Sequence, residues 1–122
     1  FHKDCLEGMA SGPAIEGRWG KKGFEVANDE KEWEMEAYYL AQGLINYILL
    51  LSPQKIIMGG GVMKQQQLFP LIRKNVQEIL NGYVYKKEIL EKIDNYIVYP
   101  GLGDEAGFIG SIALGKIALE NK

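Results

Sequence analysis

Residues 55–80 read KIIMGGGVMKQQQLFPLIRKNVQEIL. Lys55, Ile56, Ile57 and Met58 make a short, mostly apolar run, glycines follow at 59, 60 and 61, and a helical pattern begins a few residues later. A strand that turns through glycines into a helix is a building unit of layered α/β proteins. Glycine lets the backbone turn sharply and lets a ligand approach it closely, at an entropic cost. The turn therefore has two readings. It is a cradle whose amides meet the oxygens of a nucleotide, or it is a tight turn that needs positive φ. It is not a P-loop: Met63, Lys64 and Gln65 follow, with no Gly-Lys-Ser/Thr and nothing for magnesium.

Working outward, the spacing predicts a helix from near Phe69 and Pro70 to Gly82, with Leu71, Ile72, Val76, Ile79 and Leu80 on one face. Upstream, a long helix is expected over residues 30–51. Trp33, Ala37, Leu40, Ala41, Leu44, Ile45, Ile48 and Leu49 follow its period, and Pro53 marks its end. Ser11 or Gly12 can cap an earlier helix, with Pro13 in its first turn and Ala14, Ile15, Arg18 and Trp19 along it. Residues 20–30 read as a loop. Downstream, NYIVY at 95–99 reads as a second strand. A last helix is expected over 104–119, with Ile109, Ile112, Ala113 and Ile117 as its apolar stripe. Strands linked by crossover helices imply a parallel sheet in an α/β architecture. Two glycine turns, at 59–61 and 101–103, both follow strands, and together they would line one crevice.

Composition narrows the function classes. The 122 residues are 47% hydrophobic and 25% charged, which suits one soluble domain. Fourteen basic against 16 acidic residues give a net charge of −2, which argues against binding a nucleic-acid backbone. The single cysteine, Cys5, excludes an internal disulfide and fits a reducing compartment, so a cytoplasmic location is expected. The apolar stretch LINYILLL at 44–51 is too short to span a bilayer. The chain opens FHKDC rather than with methionine, and we expect it to be part of a longer protein.

Three further groups of residues carry possible chemistry. PGLGDEAGFIG at 100–110 places Asp104 as a cap, with small residues on one helix face, either to pack on the sheet or to form the far wall of the cleft. His2 and Cys5 are suited to zinc, although two ligands do not complete a four-coordinate site. Glu7 is either an exposed first-turn glutamate or a partner for ligand hydroxyls. Trp19, Trp33, Tyr38, Tyr39 and Tyr47 are most simply core or interface residues.

Three segments, HKDCLEGMASGPAIE, the GGGVM turn after KIIM, and PGLGDEAGFIGSIALG, make the chain resemble the ROK family of sugar kinases and repressors. HxxCLEG resembles the second half of the Cys-x-x-His-x-x-Cys segment of its fructokinase-like branch. The resemblance covers the whole chain and matches the C-terminal part of such a protein. It implies an actin-like, hexokinase-type (ribonuclease H-like) ATPase fold of two lobes, with sugar and ATP meeting between them. His2 and Cys5 would be two of four ligands to a structural zinc ion. Glu7 would bind sugar hydroxyls. Ser11, Gly12 and Pro13 would flank the nucleotide, and Gly59, Gly60, Gly61, Val62 and Met63 would line its adenosine part, with Gly103 and Asp104 nearby.

The implied activity is phosphorylation of a hexose, fructose first among them, from Mg2+ and ATP, by a homodimer to whose contact helix 30–51 would contribute. The family's catalytic aspartate and its phosphate-binding glycine turn have no counterpart in this sequence. The isolated chain is therefore expected to be inactive and to bind zinc poorly. A sugar-responsive repressor is the alternative within the family, and an interaction domain without catalysis is a third reading.

Overall fold

The computed structural model describes residues 4–26 and 30–120. It is mostly helical, with seven α-helices and one small parallel sheet among the described residues. The helices are α1 (Leu6–Ala10), α2 (Gly12–Trp19), α3 (Glu30–Leu51), α4 (Leu68–Leu80), α5 (Lys87–Leu90), α6 (Ile93–Tyr96) and α7 (Ala106–Glu120). The strands are β1 (Ile56–Ile57) and β2 (Ile97–Val98), paired Ile56 to Ile97 and Ile57 to Val98. The parallel pairing follows from the crossover through α4, as the order of elements requires.

Helix α3 is the backbone of the core. Trp33, Ala37, Leu40, Ala41, Leu44, Ile45 and Ile48 are all buried, and α3 packs chiefly against α4. Leu49, expected on the same face, is instead half exposed. The helix ends where Ser52 takes φ 44° ahead of Pro53. The Pro53 carbonyl then accepts from Tyr96 Oη at 3.0 Å and Lys86 Nζ at 2.7 Å, tying this end of α3 to α6. Helix α4 starts at Leu68 rather than at 69–70. It buries Leu68, Phe69, Ile72, Val76 and Leu80, leaves Leu71 half-buried and Ile79, expected on the same face, exposed, and stops where Asn81 turns left-handed.

Both strands are shorter than their sequences suggested. Asn95 and Tyr96 belong to the turn of α6, because the Tyr96 ring is buried against the core. Arg73 of α4 fixes the start of β2, donating to the Ile97 carbonyl at 2.7 and 3.0 Å while pairing with Asp94 at 2.9 Å. On the other side, β1 is only partly buried despite its apolar residues. Ile57 is 64% exposed.

The last helix departs most. No described residue of α7 is buried, so its expected stripe does not enter the core, although Ile109 is partly covered, and its glycines do not approach the sheet. Gly107, Gly110 and Gly115 in its interior each cost about 1 kcal/mol relative to alanine. Asp104 does not cap it. The chain passes through a 3-10 turn at Gly103–Glu105, and the Asp104 carboxylate pairs with Lys64 instead.

Near the start, Ser11 ends α1 and caps α2, its Oγ accepting from Ala14 N–H at 3.3 Å, with Pro13 in the first turn as expected. Arg18 of α2 donates to the Met9 carbonyl of α1 and to Glu36 Oε2 of α3, the latter at 2.6 Å. Its guanidinium lies over the rings of Trp19 and Tyr39. Trp33 Nε1 donates to the Val26 carbonyl at 2.9 Å, which closes the loop before α3.

Glu36 is fully buried, and its Oε1 has no partner among the described residues. Burial pushes its pKa from 4.5 to about 7, against the opposing pull of Arg18. The folded protein therefore binds more protons than the unfolded chain between those two values, and stability falls as pH rises across that window. In urea unfolding the loss between about pH 5 and 7 is expected to be on the order of 3 kcal/mol at most. Glu36→Gln removes this slope, and a variant with the same slope as the parent would assign it to another group.

Candidate functional site

The glycine turn sits at the carboxyl end of β1, the end at which parallel α/β sheets bind ligands. Its glycines differ in role. A Cβ on Gly59 would lie 2.9 Å from Pro100 Cγ, so this glycine allows close approach of the two strand ends. Gly60 has φ 97°, which side-chain-bearing residues rarely adopt. Gly61 is in ordinary helical φ/ψ with φ −58°, and a Cβ there would meet nothing within 4 Å. Val62, Met63 and Lys64 then form a 3-10 turn anchored by buried Met63.

Opposite stands the turn between α1 and α2. Ser11 and Gly12 from that turn, together with Gly59, Gly61, Val62 and Met63, line an open depression of about 550 Å3 floored by side chains of α3 and β1. A second depression of about 400 Å3 adjoins it, sharing Gly12, Gly61 and Val62 and reaching Phe24, Trp33, Lys64 and Gln65. Among the described residues neither is lined by a carboxylate. Such a surface offers backbone and apolar contact, which suits the base and sugar of a nucleoside better than a metal-bound triphosphate.

The structure thus brings together Ser11, Gly12, Gly59, Gly61, Val62 and Met63. It does not place Gly60 or Pro13 in either lining: one makes the turn and the other starts α2, both beside lining residues. Glu7 is exposed in the first turn of α1, outside both linings. Cys5 caps α1, its Sγ accepting from Gly8 N–H at 3.4 Å. His2 lies outside the described residues. Among the described residues no group of three or more His, Cys, Asp or Glu side chains could hold a metal ion.

Sequence reading missed the link between the two glycine turns. Lys64 Nζ contacts Asp104 Oδ2 at 2.8 Å, and Tyr99 Oη donates to Asp104 Oδ1 at 3.4 Å. The hydrogen bond from Lys64 holds the Asp104 carboxyl below its ordinary value, and the same bond raises the Lys64 ammonium. Forty residues separate the partners, so no local pattern signals the pair. Gly103 and Asp104 thus approach the site through Lys64 rather than lining it.

Comparison with known proteins gives the class. The ROK family profile matches residues 1–117. A provisionally named fructokinase of Bacillus subtilis (strain 168) is 51% identical over 120 residues, covering 98% of this chain and 40% of that protein. The fructokinase of Zymomonas mobilis subsp. mobilis is 44% identical over 124 residues, covering 100% and 40%. That of Pediococcus pentosaceus is 43% identical over 121 residues, covering 99% and 41%. The chain belongs to the ROK family. It spans about 40% of the length of these relatives. No described helix is long and apolar enough to cross a membrane.

The glycine geometry predicts a graded response to alanine. Gly59→Ala, which crowds the Pro100 ring, and Gly60→Ala, which strains the backbone, should each cost about 1–2 kcal/mol in denaturant unfolding. Gly61→Ala should stay within about 0.5 kcal/mol of the parent. Equal costs at all positions would contradict the assigned roles.

Proposed function

We propose that this chain is the C-terminal portion of an ATP-dependent hexose kinase of the fructokinase type, converting fructose to fructose 6-phosphate. One observation carries the reading: two glycine-bearing turns, distant in sequence, face each other across one depression at the end of β1. The fructokinase names of relatives that match nearly the whole chain support the sugar.

In this reading, Ser11 and Gly12 form one wall of the nucleoside site and Gly59, Gly61, Val62 and Met63 the other. Gly60 shapes the turn, and Pro13 fixes the start of α2. Absence of side chains on the glycines lets the backbone approach the ligand closely. Glu7 holds sugar hydroxyls. Bound Mg·ATP would supply the phosphoryl group, with the magnesium ligands assigned to residues outside this pair of turns. The base that activates the sugar hydroxyl belongs to the remainder of the longer protein, so the isolated chain is inactive. His2 and Cys5 contribute to a structural zinc ion completed by ligands outside this chain. The working protein is a cytoplasmic homodimer, with half-exposed Tyr38 and Tyr47 of α3 available for the contact.

The deciding experiment is a coupled ADP-release assay on the full-length protein with Mg·ATP and a panel of hexoses. Turnover on fructose well above the other sugars is expected; silence on every sugar with folded, zinc-replete protein would overturn the kinase reading. Gly61→Leu separates the two ligands, because it adds bulk at the depression without straining φ. It should raise the KM for ATP about tenfold or more, equivalent to about 1.4 kcal/mol, and leave the sugar KM unchanged. Glu7→Ala should do the reverse, and unchanged kinetics would remove Glu7 from the sugar site.

A further inference from the structure

Helix α1 carries part of each proposed substrate site. Glu7, in its first turn, is assigned to the sugar, and Ser11, which ends it, lines the nucleoside depression. The helix has only 5 residues, too few to be stable by itself, so its place is set by what it packs on. Two contacts of different kind fix it to α3. At its first end, Leu6 seats in a notch opened by Gly43 of α3. A Cβ on Gly43 would lie 2.7 Å from Leu6 Cδ1 and 2.9 Å from Cδ2. Glycine is disfavoured inside a helix, so the notch, not helix formation, accounts for Gly43.

At the other end the anchor is Arg18. Ser11 ends α1 and caps α2, so the two helices meet at a single residue. From α2, Arg18 donates to the Met9 carbonyl, just before that joint, and to Glu36 Oε2 of α3 at 2.6 Å. Its guanidinium lies 4.7 Å from the Trp19 ring and 5.1 Å from the Tyr39 ring. A planar fork enclosed in this way has one orientation, whereas a lysine ammonium is a point charge on a flexible stem. Neither Arg18 nor Gly43 lines either depression of the nucleoside site.

We propose that Arg18 and Gly43 are positioning residues, one for each substrate. Arg18 sets the Ser11–Gly12 wall against the glycine turn for the nucleoside, and Gly43, through Leu6, sets Glu7 for the sugar hydroxyls. This rests on the kinase reading above. Residues 36 and 43 stand about 10 Å apart along α3, so loosening one anchor leaves the other in place.

Steady-state kinetics of the full-length protein with Mg·ATP and fructose tests this. Arg18→Lys should raise the KM for ATP at least about fivefold and leave the KM for fructose within about twofold of the parent. Gly43→Ala should do the reverse. Leu6→Val added to Gly43→Ala relieves the crowding and should return the fructose KM toward the parent value. The double variant Arg18→Met, Glu36→Leu removes the ion pair without leaving a buried lone charge, which keeps the test open if Arg18→Lys does not fold. It should show the same rise in the KM for ATP. Both KM values moving together, a fall in kcat alone, parental kinetics, or no recovery with Leu6→Val would overturn the inference. A parent protein silent on every hexose would defeat the kinase reading and this inference with it. An active parent whose variants fail to separate the two substrates would defeat only this one.

Discussion

The guanidinium of Arg18 holds the first part of the chain in its working position. It sits on α2, donates backward to the Met9 carbonyl of α1, donates forward to Glu36 of α3, and is covered by Trp19 and Tyr39. A buried ion pair carries a heavy desolvation cost, and here Glu36 Oε1 lacks a partner among the described residues. What the pair supplies is geometry: a planar fork reaches two elements at once, which a lysine would not do in the same way. The turn at Ser11 and Gly12 is thereby set at a fixed place above α3. That turn is one wall of the candidate nucleoside site, so the wall depends on a contact outside the depression it lines.

Much of this arrangement was legible locally. The period from Trp33 to Ile48, ended by Pro53, located α3, and Ser11 followed by Pro13 located α2. Strand lengths were not legible, because NYIVY has the composition of a strand while the Tyr96 hydroxyl is drawn to the Pro53 carbonyl. The short helices α1, α5 and α6 lack enough residues for a period to emerge. For α7 the sequence showed a helix but not its surroundings: residues apolar on all sides do not say which neighbour covers them.

The site was legible in part, for a physical reason. The two readings of the glycine turn, a tight bend and a close approach, fall on different residues. Gly60 carries the positive φ, Gly59 the approach to Pro100, and Gly61 the open space. Adjacent glycines look alike in a sequence, and only the path of the chain distinguishes them. The same holds at 11–13, where Ser11 and Gly12 line the depression while Pro13 fixes the helix that follows.

The rigidity of the site also has a source that fold class alone would misassign. A pair of two-residue strands is far too small to be stable by itself. Its register is instead imposed from α4, where Arg73 grips the Ile97 carbonyl and Asp94 while Phe69 packs edge-on to Tyr99. Met58 N–H still donates to the Val98 carbonyl at 2.9 Å, just before the glycines begin. The backbone is thus held up to the last residue before the turn and released at Gly59. Helix packing and one arginine, more than the sheet, determine where the glycines open.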